Sequence, residues 1–281
     1  MIEMWELLLR SKKAMFGLVV LIIFILLGTV GPLLVGNPYY MDLNLMGRPP
    51  SLEHILGTTS FGEDVFAQLC NAIGNSLLVG LVAGGLGTLI AVFVGAVGPY
   101  RGGFADRFSN LVTNLALVLP LIPLFIIIAS VVRGLNLVLI GVILALTSWP
   151  WAARSIRSQV LTLKEREFVS LARMSGERGV RIVLTEILPN MLAYIMMVFV
   201  IMTGTAILAE SALSMIGVST THTITLGYML YYAQHQTIVP FWWNIWWWFI
   251  PPGIVLTVIL TAFFVIHAGL DEVFNPKLRR I

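Results

Sequence analysis

The side chains that could perform chemistry are few and scattered along the chain. Its 281 residues include four histidines and one cysteine. The histidines are His54, His222, His235 and His267. They form no pair at the helical spacing of metal ligands, and no Ser-His-acid set is evident. No lysine follows a glycine, so the phosphate-cradling GxxxxGK[ST] loop is absent. These patterns predict a protein that is not an enzyme and has no catalytic residue, metal site or cofactor.

The only long charged stretch runs from residue 162 to residue 190. It holds nine of the chain's charged residues: Lys164, Glu165, Arg166, Glu167, Arg173, Glu177, Arg178, Arg181 and Glu186. Two short helices are predicted here. Thr162 and Glu165 fit a capping box, and Gly176 can adopt the left-handed conformation that ends a helix. The first helix also carries apolar side chains. Two interpretations remain open: a loop helix folded onto its own membrane domain, or a docking helix for a separate protein.

The composition of the chain indicates which kind of structure must hold this stretch in place. Apolar residues make up 58% of the chain, charged residues 11%, and the mean hydropathy is +0.92. A soluble domain has about 25% charged residues. The chain is therefore predicted to be an all-α integral membrane protein in a lipid bilayer. Cys70 is alone and cannot form an internal disulfide. The isoelectric point is basic because the Lys and Arg residues follow the membrane topology, so no nucleic-acid partner is expected.

Apolar runs of about 20 residues predict six transmembrane helices. They cover residues 14–35, 76–98, 108–132, 135–151, 187–209 and 244–267. The polar stretch before the last span contains Gly227 and Pro240 and is predicted to be a loop. These spans divide the chain into two predicted regions. Residues 1–75 form an N-terminal anchor span with an outer segment, and residues 76–281 form a five-span core with the charged loop at 162–190.

Lys and Arg are distributed unequally across the membrane. With six spans, both chain ends lie on the same side as the charged loop. That side holds all but two of the 17 basic residues, the exceptions being Arg48 and Arg133. The positive-inside rule makes the rich side cytoplasmic. The sequence thus predicts a multi-pass cell-membrane protein with cytoplasmic N and C termini and an uncleaved first anchor.

Small and kink-forming residues mark two of the spans. Gly80 and Gly84 allow another helix to approach the second span closely, either within the chain or across a dimer. Pro120 and Pro123 predict a kinked, cavity-lining third span. Asn114, with Thr113 and Ser130, could supply polar groups to a substrate path, although hydroxyls commonly bond to their own helix.

Glu210 ends the predicted fifth span, where a carboxylate is expensive unless it is paired or faces water. It could belong to a substrate path, or it could cap a following helix at residues 211–216 through the helix dipole.

The outer segments carry two further motifs. HILGTTSFGEDV, from His54, predicts turns at Gly57 and Gly62 in a surface loop or a lip against a partner. FWWNIWWWF, from residue 241, predicts an interfacial aromatic belt, with a sugar-stacking platform as the alternative. Its tryptophans are Trp242, Trp243, Trp246, Trp247 and Trp248.

Six stretches together resemble an ABC-importer permease of the dipeptide/oligopeptide, binding-protein-dependent type. They are HILGTTSFGEDV (54–65), PYRGGFADR (99–107), KEREFVSLARMSG (164–176), ILPN (187–190), AESALSMIG (209–217) and NPKLRR (275–280). The third is similar to the family's EAA loop, with Ser170, Leu171 and Ala172 in place of Glu-Ala-Ala and Gly176 at the family's glycine. Gly62, Glu63 and Asp64 stand where the family usually has Gly-Arg-Asp.

This resemblance implies a type I ABC-importer permease fold, with one span ahead of a five-span core and a cytoplasmic coupling helix. It also implies three kinds of partner: a second homologous permease, two ABC ATPase subunits and an extracytoplasmic substrate-binding protein. The expected substrates are peptides, with oligosaccharides or nickel chelates as alternatives. A non-transporting structural or insertase-like membrane protein is the alternative from another class.

The candidate site residues form two sets, the first implied by the resemblance and the second by the residue types within the spans. The ATPase-docking set is Glu167, Phe168, Ser170, Leu171, Ala172, Arg173, Met174 and Gly176. The expected substrate-path set is Asn114, Pro120 and Glu210.

The topology can be tested by single-cysteine labelling in a Cys70→Ala background. Cysteines at positions 178 and 237 are predicted to react from opposite faces of the membrane, because one loop is assigned to each side. An impermeant thiol reagent added outside sealed cells should label only position 237. Labelling of both positions would contradict the six-span topology.

Overall fold

The chain folds into a bundle of helices. The computed structural model describes residues 11–132, 134–218, 223–235 and 245–274. Its α-helices are α1 (Lys12–Leu34), α2 (Val65–Arg101), α3 (Gly103–Val118), α4 (Leu121–Val131), α5 (Leu137–Leu163), α6 (Glu167–Met174), α7 (Gly179–Ile182), α8 (Leu188–Asn190), α9 (Leu192–Met215), α10 (Leu226–His235) and α11 (Trp246–Phe274). A 3₁₀ turn covers Leu43–Leu45, and a π-helical segment covers Val183–Ile187. The described residues contain no extended strand, only an isolated bridge between Thr58 and Asp64.

Five helices, α1, α2, α5, α9 and α11, are long and apolar enough to cross a membrane. The predicted all-α membrane class is confirmed. Helices α3 and α4 taken together are also long and apolar enough to cross a membrane, but the pair is bent by 86° at the break between them.

Helix α2 lies at the centre of the bundle, and its glycines bring neighbouring helices close. A Cβ atom on Gly80 would lie 2.5 Å from Cγ1 of Ile207 on α9, and one on Gly84 would lie 2.9 Å from Cα of Thr203. On the α5 side, a Cβ on Gly95 would lie 2.6 Å from the carbonyl oxygen of Ala153. These glycines therefore serve packing within the chain, the first of the two predicted roles.

The order of these contacts gives the direction of each helix. Gly87 and Gly95 of α2 face Ala145 and Ala153 of α5 in increasing order, so α2 and α5 run parallel. The chain must therefore cross back between them, and the α3–α4 pair provides that crossing. The five single helices and this pair confirm the six predicted crossings.

The two ends of the described chain lie at the same end of the bundle. Gly269, near the end of α11, contacts Ala14 at the start of α1. Helices α9 and α11 are antiparallel, because Gly204 contacts Phe263 while His267 bonds to the carbonyl oxygen of Met197. This arrangement agrees with an even number of crossings.

The third crossing is broken rather than kinked. Pro120 is the N-cap of α4, with φ −71° and ψ 122°. Pro123 occupies the first turn of α4, where a helix needs no backbone N–H donor. The predicted single helix over residues 108–132 is therefore wrong, because the chain breaks at Pro120 and a new helix, with Pro123 in its first turn, begins after it.

The predicted spans are too short at the outer end of the bundle. Helix α2 begins at Val65 rather than residue 76, because its polar side chains bond within the protein. Asn75 donates to the carbonyl oxygen of Ile224 at 2.8 Å. Helix α9 continues to Met215, and α10 forms where a loop was predicted.

The outer segment before α2 is folded onto α11. Its turns have positive φ at Gly57 (69°) and Gly62 (80°), as predicted. Trp247 is buried, and its indole N–H donates to the carbonyl oxygen of Thr58 at 3.0 Å. Trp248 is also buried, edge-on to Phe61. The aromatic-belt prediction is wrong for these two tryptophans, because α11 turns them inward.

Trp246 is 48% exposed, as the aromatic-belt prediction requires. Trp242 and Trp243 lie outside the described residues. Of the other positions used in the sequence analysis, Arg133, His222, residue 237, Pro240 and the 275–280 motif also lie outside them.

Glu63, in the first outer motif, is a buried acid outside the spans. Burial raises the pKa of its carboxyl group, and hydrogen bonds from Thr59 and Gln68 partly oppose that rise. The Thr59 hydroxyl donates at 3.0 Å and the Gln68 amide at 2.8 Å. This buried carboxyl group thus has its own pair of donors.

Adjacent glycines of α2 offer a matched test of this packing. Gly84→Ala should destabilise the bundle by about 1–3 kcal/mol, because the added methyl group overpacks the contact with Thr203. Gly85→Ala should leave stability unchanged or slightly higher, since nothing lies within 4 Å of its Cβ position. Thermal unfolding of both variants in the same detergent measures the difference. Equal melting temperatures would contradict the α2–α9 contact.

Candidate functional site

The candidate site is built around the short helix α6. Its N-cap is Arg166, without a side-chain hydrogen bond. Thr162 lies in the last turn of α5, where its hydroxyl donates to the carbonyl oxygen of Ser158 at 3.1 Å. The predicted capping box is therefore wrong, because α5 continues through Thr162 and leaves only a short link before α6.

Glycine ends α6, as predicted. Gly176 has φ +80°, in the left-handed region. Its N–H donates to the carbonyl oxygen of Arg173 at 3.1 Å, and the N–H of Glu177 donates to that of Ala172 at 3.3 Å. These two bonds form a Schellman motif, which satisfies carbonyl groups at the end of a helix. The chain then turns sharply into α7.

One face of α6 packs against its own chain. Val169 is fully buried, and Phe168 and Ala172 are partly buried in the same apolar cluster. This cluster includes Ile156 of α5 and Tyr100 of α2. Val169 was absent from the predicted site, although it lies among the apolar residues of the predicted helix.

The opposite face of α6 is exposed. It presents Glu167, Ser170, Leu171 and Met174, whose spacing of three and four residues places them on one side of a helix. Leu171 is 60% exposed and Met174 is 76% exposed. One face of α6 thus folds onto its own chain, as the first interpretation of the charged stretch predicts, and the opposite face is exposed.

Polar contacts hold α6 near the ends of the membrane helices. The guanidinium of Arg173 lies 6.0 Å from the ring centre of Tyr100. The ammonium of Lys164 donates to the carbonyl oxygen of Pro99 at 3.5 Å. Nearby, Arg157 of α5 forms an ion pair with Asp106 of α3. A displacement of α6 would therefore act on α2 and α5.

The predicted path residues have separate surroundings. Asn114 is exposed, and its carbonyl oxygen accepts a hydrogen bond from Arg154 at 2.7 Å. Thr113 and Ser130 donate to carbonyl groups of their own helices, the alternative considered for them. Among the described residues, no hydrogen bond joins Asn114 to Glu210.

A cavity of about 240 Å³ lies beside the break between α3 and α4. Leu119 and Leu121, on either side of Pro120, line it together with Thr147 and Ser148 of α5. Both hydroxyls donate to carbonyl groups of α5. Pro120 shapes this cavity by ending α3.

Glu210 lies inside α9 and is only 1% exposed. Its carboxylate accepts hydrogen bonds from Ser214 at 2.8 Å, Thr225 at 2.7 Å and Ser211 at 3.4 Å. The predicted cap of a separate helix at 211–216 is wrong, because these residues continue α9. The carboxylate instead links α9 to the segment that begins α10.

These features define a class of protein: a multi-pass, all-helical membrane protein with a short exposed helix at one end of the bundle. Residues 87–280 match the sequence model of the family described as the binding-protein-dependent transport system inner membrane component. Residues 1–50 match the N-terminal transmembrane domain of oligopeptide transport permease C. The chain belongs to the binding-protein-dependent transport permease family.

Similar curated proteins match between 74% and 99% of the chain. The dipeptide transport system permease protein DppC of Bacillus subtilis is 31% identical over 99% of this chain and 86% of its own length. A putative peptide transport system permease protein of Brucella suis is 31% identical over 97% of this chain and 90% of its own length. The oligopeptide transport system permease protein OppC of Mycobacterium bovis is 33% identical over 74% of this chain and 72% of its own length.

The end of α6 provides a local test of the site's geometry. Gly176→Val should cost about 1–2 kcal/mol or more, because a β-branched residue is strained at this positive φ. Ser170→Val, at an exposed interior position of α6, is the matched control. Hydrogen exchange of the α6 amides should accelerate roughly tenfold in the Gly176 variant alone. Unchanged exchange in that variant would contradict the left-handed helix end.

Proposed function

We propose that this chain is the transmembrane permease subunit of an ATP-driven importer and forms half of its peptide path. A second homologous permease forms the other half. Two ABC ATPase subunits dock on the cytoplasmic side, and an extracytoplasmic binding protein delivers the substrate. In this proposal residues 1–75 form an anchor and outer segment, and residues 76–281 form the permease core.

The exposed face of α6 is the observation that carries the proposal. Leu171 and Met174 present apolar surface in a chain segment that is rich in charge. Val169, on the opposite face, fixes the helix to the membrane domain. A short helix anchored on one side and apolar on the other suits transmission of force from a docked ATPase. We assign Glu167, Ser170, Leu171, Met174 and Gly176 to the docking contact.

The remaining members of the docking set have a supporting role in this proposal. Phe168 and Ala172 carry displacement of α6 into the apolar cluster around Tyr100. Arg173 does so through its contact with the same ring.

The orientation follows from the excess of basic residues at the end of the bundle that carries α6. The positive-inside rule places that end in the cytoplasm, together with both termini. ATP binding then stabilises one packing of the two permeases, and release of the hydrolysis products favours the other. A ligand shifts the equilibrium between two states only by the difference in its affinity for them. The cavity beside Pro120 lies where such a change could open a path, and Asn114 lies on the same broken crossing. Glu210, which joins α9 to α10, would transmit the change to the outer face.

Peptides are the proposed substrates because the matched relatives are named for peptide, dipeptide or oligopeptide transport. Oligosaccharides and nickel chelates remain alternatives within the same role. A structural or insertase-like protein would show no substrate-stimulated ATP hydrolysis in its purified complex.

The docking contact is tested by Leu171→Glu. Burial of a leucine contributes about 1.5–3 kcal/mol, and a carboxylate in an apolar groove adds a desolvation cost. Association with the ATPase subunits should therefore weaken at least about tenfold. The measurement is co-purification of those subunits from membranes, with peptide-stimulated ATP hydrolysis and transport assayed alongside.

Thr185→Glu is the charge control, because Thr185 is exposed in the same segment but lies outside α6. It should retain association and transport. Both variants should insert normally into the membrane. Wild-type association and transport in Leu171→Glu would refute the docking assignment, and ATP hydrolysis by the chain freed of all other subunits would refute its role as a transport subunit.

A further inference from the structure

An apolar groove runs along α2 beside the segment that follows α6. One wall carries Leu89, Phe93 and Val97, whose four-residue spacing places them on one face of α2. The other wall carries Val180 and Leu184. Leu89 is 67%, Phe93 69% and Leu184 59% exposed. The enclosed part of the groove measures about 170 Å³, which suits a segment of one alkyl chain.

The groove opens into a cationic cleft of about 810 Å³ at the end of α2. Tyr100, Arg101, Gly179 and Val180 line both spaces, so the two are continuous. The cleft adds Lys164, Arg173 and Arg178, with Glu165 as its one carboxylate.

These cations have no neutralising carboxylate within the part of the chain that the structure describes. Among the described residues, none of the four forms an ion pair with a carboxylate. The Lys164 ammonium donates to the backbone carbonyl of Pro99, and the Arg173 guanidinium lies over the Tyr100 ring. The cleft therefore has four positive charges and one negative charge, and it favours an anion.

The dimensions match one leaflet of a bilayer. Arg101 is the last residue of α2 and lies twelve residues after Leu89, which corresponds to about 18 Å along a helix. Half of a bilayer's hydrocarbon core is about 15 Å thick. The groove thus extends from headgroup level to near the bilayer midplane.

We infer that this groove and cleft bind an anionic phospholipid. One acyl chain lies between α2 and the Val180–Leu184 wall, and the phosphate lies among Arg101, Lys164 and Arg178. Basic pockets at the cytoplasmic boundary are suited to such headgroups. The lipid would bridge the end of α2 and the segment after α6, and would hold the two together while α6 is displaced.

The full chain, purified in mild detergent, is titrated with dioleoyl phosphatidylglycerol or dioleoyl phosphatidylcholine and examined by native mass spectrometry. The wild type should prefer the anionic lipid. Arg101→Gln combined with Arg178→Gln should lower phosphatidylglycerol affinity at least about tenfold and leave phosphatidylcholine binding unchanged, since each cation near a headgroup contributes to anionic selectivity. Both arginines are exposed, so the fold should be retained.

Arg107→Gln combined with Arg166→Gln is the matched control, because both residues are exposed and lie outside the cleft. This pair should keep the lipid preference. Val97→Trp, which fills the groove, should weaken binding of phosphatidylglycerol. Glycerol 3-phosphate should not displace the lipid, because it has no acyl chain.

Any of the following results would overturn the inference. They are the absence of a wild-type preference, an equal loss in both arginine pairs, unchanged lipid binding in Val97→Trp, and displacement by glycerol 3-phosphate. If the Arg101/Arg178 variant kept its lipid preference but lost ATPase association, the cleft would serve a protein partner and the lipid assignment would fail.

Discussion

Close contact between α2 and its neighbours is the constraint on which the rest of the bundle depends. Apolar side chains gain little by leaving lipid for a protein interior, so helix association in a membrane relies on close packing and hydrogen bonds. Gly80 and Gly84 allow α9 to approach α2, and Gly95 does the same for α5. At the other end of α2, Gly74 meets Gly28 of α1 at backbone distance. Helix α2 therefore sets the positions of three other spans.

The position of α6 is a consequence of this packing. An isolated helix of eight residues is marginal in water, so α6 needs a supporting surface. The adjacent ends of α2 and α5 supply it through the cluster that contains Val169 and Ile156. The Schellman turn at Gly176 then returns the chain toward Tyr100, which Gly179 contacts. The helix is thus presented outward by the same elements that would receive its motion.

The outer end of the bundle is joined by polar contacts rather than by apolar packing alone. The Ser76 hydroxyl on α2 accepts from the N–H of Leu226, and Glu210 on α9 accepts from Thr225, both at the start of α10. Trp247 of α11 donates to Thr58 of the outer segment. Buried polar groups are costly when left unpaired, so these bonds restrict the outer segments to few arrangements. A change in span packing would therefore reach the outer surface.

The sequence by itself determined the membrane class, the six crossings, the charged loop and the turn at Gly176, because hydrophobic run length, charge clustering and a glycine requirement are local properties. Only the tertiary structure decided which face of α6 is buried. Val169 and Leu171 are both apolar, but Val169 packs into the apolar cluster at the ends of α2 and α5, whereas Leu171 is exposed. The burial of Trp247 and Trp248 was likewise decided by the tertiary structure. Their sequence context is typical of interfacial tryptophans, but the outer segment covers both side chains. Local signals also failed at residues 65–75, which were assigned to an outer segment, and at residues 211–216, which were expected to form a separate helix. There the helices continue because distant partners, Ile224 for Asn75 and Thr225 for Glu210, satisfy these polar side chains inside the protein.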